Sequence, residues 1–200
     1  MTPYPAIAIV ELDSVATGTT VGDAMVKAAP IDRIHAGTIH RGKYLVLVGG
    51  SVASVEESLT AGLRVGGESV VDHVLLADVH EEVHDAVFGK RRDDTFDALG
   101  IIETETVAAT VRAAEAGVKG ALVHVKEIRL GDGLAGKGLV HFTGAVADVQ
   151  AAIEIGTAAI ADRRGGLWTT VIPALHEEMA RETGESTRFR RWPHKAQESE

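Results

Sequence analysis

The feature that most limits what this chain can become is its own duplication. Displaced by about 92 residues, the sequence matches itself along a whole half. Ala8-Ile9-Val10-Glu11 meets Gly100-Ile101-Ile102-Glu103, Asp23-Ala24 meets Glu115-Ala116, and Val26-Lys27 meets Val118-Lys119. A small insertion moves the offset to about 94, where Gly42-Lys43 meets Gly136-Lys137 and Gly50-Ser51-Val52-Ala53 meets Gly144-Ala145-Val146-Ala147. A last shift pairs His80-Glu81-Glu82 with His176-Glu177-Glu178. Similar composition alone would not keep Glu11/Glu103, Lys27/Lys119 and His80/His176 in order. The chain is therefore expected to fold as two copies of one unit, at 5–89 and 98–180. A charged linker at 90–97 joins them, and a polar tail at 181–200 is expected to be poorly ordered.

Within one copy, apolar runs and helical stripes alternate. Ala6 to Glu11, Tyr44 to Val48 and Val70 to Leu76 read as strands. Thr20 to Ala29 reads as a helix with Thr20 as a possible N-cap and Pro30 as its stop. Ser51 to Gly66 reads as a second helix. Its apolar stripe Val52, Val55, Leu59, Leu63 returns in the second copy as Val146, Val149, Ile153, Ile160. Glu81 to Val87 is a short amphipathic helix. The order, strand–helix–strand–strand–helix–strand–short helix, is the split βαβ pattern of an α/β, ferredoxin-like layer.

Composition excludes several classes of function. With no cysteine, disulfides, thiolate catalysis and Cys-held clusters are impossible. Lys+Arg 20 against Asp+Glu 29 leaves a net charge of −9, which disfavours phosphate-rich nucleic acid, and 4% aromatic leaves few stacking platforms. No apolar run approaches the ~18 residues of a membrane span, and Met1-Thr2-Pro3-Tyr4-Pro5 lacks the pattern of a signal peptide. A cytoplasmic location fits these features.

Asp23-Ala24-Met25-Val26-Lys27-Ala28-Ala29, followed by Gly42-Lys43, a strand, Gly50 and Val52-Ala53-Ser54-Val55, resembles the bacterial microcompartment shell domain. Ile9-Val10-Glu11, Ile101-Ile102-Glu103-Thr104 and Val171-Ile172-Pro173 with His176 resemble the same family. Two such domains in one chain are similar to the tandem-domain shell proteins. That resemblance implies a structural, non-enzymatic role without a cofactor. It implies a homotrimer that mimics a hexamer, tiled with hexameric and pentameric shell proteins around enclosed enzymes. It also implies that Lys27 and Lys119 lie at tile edges, and that His40, Arg41, Gly42, Leu134, Ala135 and Gly136 line a central pore for small metabolites. Three His40 and three Arg41 around one axis would make a cationic rim favouring anionic solutes. Some tandem relatives hold an iron–sulfur cluster here through cysteine; His40-Arg41-Gly42-Lys43 cannot. Three His40 imidazoles are a candidate zinc site on the axis, but Arg41 beside them opposes it, and no metal is assigned.

Two motifs tempt and are set aside. His80-Glu81-Glu82-Val83-His84 fits the H-E-x-x-H zinc pattern. Its repeat counterpart, His176-Glu177-Glu178-Met179-Ala180, lacks the second histidine, so a solvated surface helix is expected. Gly131-Asp132-Gly133-Leu134-Ala135-Gly136 fits G-x-G-x-x-G, yet a strand rather than a helix should follow. The tail segment Arg188-Phe189-Arg190-Arg191-Trp192 is read as a loosely held basic–aromatic stretch rather than a docking peptide. A trimeric small-molecule-binding regulator of ferredoxin-like fold remains the alternative, since fold alone does not fix function.

Overall fold

The computed structural model of the protein describes residues 6–92, 97–163 and 165–185. The first copy runs β1 (Ala6–Leu12), α1 (Val15–Ala28), β2 (Arg33–Ile39), β3 (Lys43–Gly50), α2 (Val52–Gly66), β4 (Val70–Leu76) and α3 (Glu81–Val87). The second runs β5 (Ala98–Thr104), α4 (Val107–Gly120), β6 (His124–Leu130), β7 (Gly138–Gly144), α5 (Val146–Ala158), β8 (Leu167–Pro173) and α6 (Glu177–Glu185). Each copy makes a four-stranded antiparallel sheet, ordered β2-β3-β1-β4 and β6-β7-β5-β8. The register repeats as well: Ala6 pairs with Gly50, and Ala98 with Gly144. No helix among the described residues is long and apolar enough to cross a membrane.

Alternation sorts the strands onto two faces. Ala8, Val10, Val46 and Val48 meet Val21, Met25, Val55 and Leu59 of α1 and α2. Ile7, Ile9, Leu45, Leu47, Val74 and Leu76 face the other way. That second cluster continues through Val83, Ala86 and Val87 of α3 into Ala108, Val111, Phe142 and Val149 of the second copy. One apolar core therefore crosses the boundary between the copies.

The first helix starts earlier than its sequence suggests. Ser14, not Thr20, is the N-cap, its Oγ accepting from the Thr17 amide at 3.2 Å. Threonines are poor helix formers, which hides the first turn. Here Thr19 and Thr20 turn their hydroxyls back to the Val15 and Ala16 carbonyls. Gly18 sits mid-helix because a Cβ there would lie 2.5 Å from the Tyr44 ring.

The stripes need the same kind of correction. Val52 is exposed while Val55 and Leu59 are buried. In the second copy the helix ends at Ala158, so Ile160 reaches the core from the turn beyond it. Near the C-terminus, α6 runs to Glu185, into the stretch expected to be tail. Arg188-Phe189-Arg190-Arg191-Trp192 and most of the linker, 93–96, lie outside the described residues.

Candidate pore corner and tile edges

The β2–β3 turn carries His40, Arg41 and Gly42; the β6–β7 loop carries Leu134, Ala135 and Gly136. Both turns use one backbone solution. Arg41 and Gly42 have φ of 64° and 71°, and Ala135 and Gly136 have 52° and 81°. Two successive left-handed residues reverse the chain sharply, and glycine at the second position of each pair adopts that region without steric cost. Gly131 and Gly133 also have positive φ. The glycines of the apparent dinucleotide motif thus shape a strand–loop–strand connection.

The duplicated loops meet at one corner of the chain. The Gly133 amide donates to His40 Nδ1 at 2.7 Å, and the same nitrogen lies 3.0 Å from Asp132 Oδ1. These contacts exclude one another: Nδ1 accepts from Gly133 when unprotonated and donates to Asp132 when protonated. Either way only Nε2 stays available to a ligand. Arg41 lies 3.5 Å from Glu105. Acids therefore stand beside both bases at this corner. Asp132 and Glu105 are the corner residues that sequence reasoning missed.

Beneath the corner, Lys43 Nζ donates to Glu11 at 2.7 Å and to the Glu105 and Gly136 carbonyls at 3.2 and 3.4 Å. Glu11 is fully buried and also accepts from the Val107 amide at 2.8 Å. Burial raises its pKa, against the opposing pull of Lys43 and that amide. The second copy repeats the pair as Lys137–Glu103 at 2.6 Å. The duplication was the available signal for both pairs, since each lysine directly follows a paired glycine.

The edge candidates separate. Lys27 pairs with Asp23 at 2.6 Å, both well exposed. Lys119 pairs with Glu115 at 2.6 Å and also donates to the Asp78 carbonyl at 2.7 Å, so it joins the two copies. At the other end of α4, Asp72 accepts from the Thr106 hydroxyl at 2.6 Å and pairs with Arg163.

The residues of the H-E-x-x-H stretch have structural roles. His80 caps α3, its Nδ1 accepting from the Glu82 amide at 3.3 Å. Glu82 reaches across to His124 at 2.8 Å and the Val125 amide at 2.7 Å. His84 packs on the Phe88 ring, 4.8 Å between centroids. Because Val83, Ala86 and Val87 are buried, α3 is a wedge between the copies rather than a solvated helix. Among the described residues, no group of three or more His, Asp or Glu is placed to hold a metal ion.

The family model for the BMC domain matches residues 6–79 and again 98–175. The chain belongs to the BMC-domain family. Over 177 residues it is 34% identical to the bacterial microcompartment shell protein PduT of Citrobacter freundii, covering 88% of this chain and 96% of that protein. The carboxysome shell protein CcmK2 of Synechococcus elongatus is 34% identical over 82 residues, which is 39% of this chain but 80% of that protein. One copy here thus corresponds to most of a complete relative. A crystal structure of a microcompartment protein from Desulfitobacterium hafniense superimposes with a TM-score of 0.78 at 38% identity, covering 89% of this chain and 99% of that one. Two BMC domains in tandem make this a microcompartment shell protein.

Proposed function

We propose that three copies of the chain close head to tail into a flat ring of six BMC domains, a structural and non-catalytic tile. The observation that carries this reading is the contrast between α1 and α4. Within the chain, α4 lies between its own sheet and the first copy's sheet, with ten residues buried; α1, its repeat counterpart, buries four. Every chain thus has one filled junction and the two unmatched halves of a second. Heterologous contacts of this kind close into rings.

In that ring the corner of His40, Arg41, Gly42, Leu134, Ala135 and Gly136 lines a central opening for small metabolites. Asp132 and Glu105 balance its charge, so width and hydrogen bonding select more than net charge does. Lys27 and Lys119 stand toward the tile edges, where hexameric and pentameric shell proteins abut, and the inner surface faces enclosed enzymes.

Sedimentation velocity tests the ring and should give a trimer. Electron microscopy of assembled protein tests the edges. Replacing Lys27 and Lys119 together by Ala should abolish extended sheets while trimers remain. A monomer at all concentrations refutes the ring, and sheets that survive the double change refute the edge assignment.

A further inference from the structure

The second junction can be read residue by residue from the first, because α3 and α6 are the same device used twice. Each follows a non-glycine residue with positive φ, Asp78 at 56° and Ala174 at 67°. Each opens on a histidine whose Nδ1 accepts the amide two residues on, His80 from Glu82 at 3.3 Å and His176 from Glu178 at 3.2 Å. Their settings differ. α3 buries Val83 against the second copy, and Glu82 grips the edge strand β6 through the His124 ring and the Val125 amide. In α6, Glu177, Glu178 and Met179 are exposed, and among the described residues the Glu178 carboxylate pairs with Arg181 of its own helix. Ala180 and Thr183 are half-buried and the Thr183 carbonyl accepts from Arg91 at 2.6 Å, so α6 is held near its C-terminal end while its first turn is left uncovered. Met179, at the place of Val83, is 52% exposed.

The strand that matches β6 is β2, the free edge of the first sheet. Register fixes the equivalence: His124 pairs with Thr143 and Arg33 with Gly49, each one residue before the end of its partner strand. Ile34 then stands where Val125 does. Arg33 and Ile34 are both exposed. The acid–histidine contact of the first junction becomes an acid–arginine contact in the second, so the charges are complementary.

We infer that α6 of one copy docks on β2 of the next copy, with Glu178 gripping the Arg33 guanidinium and the Ile34 amide as Glu82 grips His124 and Val125. Met179 is buried in the same step. The helix start supports this placement. In the first junction Glu115 accepts from the His80 amide at 3.1 Å and Lys119 donates to the Asp78 carbonyl. The counterpart of Glu115, Asp23, is exposed, and so is the start of α6 at His176; Lys27 is left to the tile edge. The inference rests on the ring proposed above and adds its second contact surface.

The test is a charge-reversal cycle on the full chain, read as the trimer–monomer midpoint in sedimentation velocity. Glu178→Arg should raise the midpoint about tenfold or more. Adding Arg33→Glu should return it to within about threefold of the parent. Glu178→Gln, which keeps shape and loses charge, should fall between. Hydrogen exchange at the Ile34 amide should be slow in the parent trimer and fast in Glu178→Arg. An unchanged midpoint in Glu178→Arg, or no recovery in the double variant, overturns the docking while the parent trimer stands. A parent protein that never forms trimers overturns the ring itself.

Discussion

Helices α1 and α4 descend from one sequence, yet they live in different solvents. α4 is closed in by two sheets; α1 rests on one and turns Val15 and Val26 outward, 42% and 40% exposed. The ion pairs beneath them differ in the same way. Side-chain exposure is 0% for Glu11 and 14% for Lys43, against 33% for Glu103 and 27% for Lys137, where the Trp168 ring lies 3.8 Å from the lysine nitrogen. The lesson is that burial here belongs to the junction and not to the repeat unit. The copy with a neighbour is finished, and the copy without one displays what the neighbour would cover.

The largest test of this contrast is to break each ion pair in turn. Glu11→Ala strands Lys43 and the Val107 amide inside the junction and should cost about 3–5 kcal/mol in urea unfolding. Glu103→Ala, on the open pair, should cost the isolated chain less than about 1 kcal/mol. Equal costs would end the distinction between the two halves.

Helix packing gives the second test. A Cβ on Gly156 would lie 2.9 Å from the Ala113 carbonyl, which is backbone and cannot yield; on Gly62 it would meet the flexible Met25 side chain at 2.7 Å. Gly156→Ala should therefore cost about 2–3 kcal/mol and Gly62→Ala clearly less, by thermal unfolding.

Third comes acidity. His141, at the place of Leu47, is buried with Arg91, Lys126 and Arg129 around it, and burial first, then those charges, lowers its pKa to about 4. A histidine held neutral in the fold takes up its proton more readily when unfolded. Its contribution is thus complete above about pH 6.5 and is lost progressively as pH falls to about 4. At pH 5 the loss should reach about 2 kcal/mol relative to pH 7. His141→Leu should remove this part of the acid sensitivity in a melting-temperature series.

The smallest effect belongs to the caps. Ser14→Ala should cost about 1 kcal/mol. Thr106→Ala should cost more, because Thr106 also donates to Asp72 across the junction.

The duplication made the architecture legible in advance, since paired positions such as Glu11/Glu103 and Gly42/Gly136 lock two sheets into one register. The candidate pore-loop residues were assigned by resemblance, and their left-handed turns follow from the glycines at 42 and 136. What stayed hidden depends on contacts between the copies. Asp132 beside His40 and Glu105 beside Arg41 come from loops far apart in the chain, and no spacing rule joins them. Helix α3 looked like a surface element because the elements it packs on, β6 and α4, belong to the other copy. Even a difference between the copies can hide: Gly37 stands where Arg129 does, and without a side chain there a cavity of about 440 Å³ opens beside His35, Leu45, Leu47 and Phe88.

The paired turns at Arg41-Gly42 and Ala135-Gly136 carry a consequence for inheritance. A shell subunit with a single domain must place the same side chain at every position around its axis. Fusing two domains wires an alternation into the gene, so one lip can drift toward charge while the other stays small. In the proposed ring the opening would then gain two independent letters where a ring of single domains has one, with no second gene to keep in proportion.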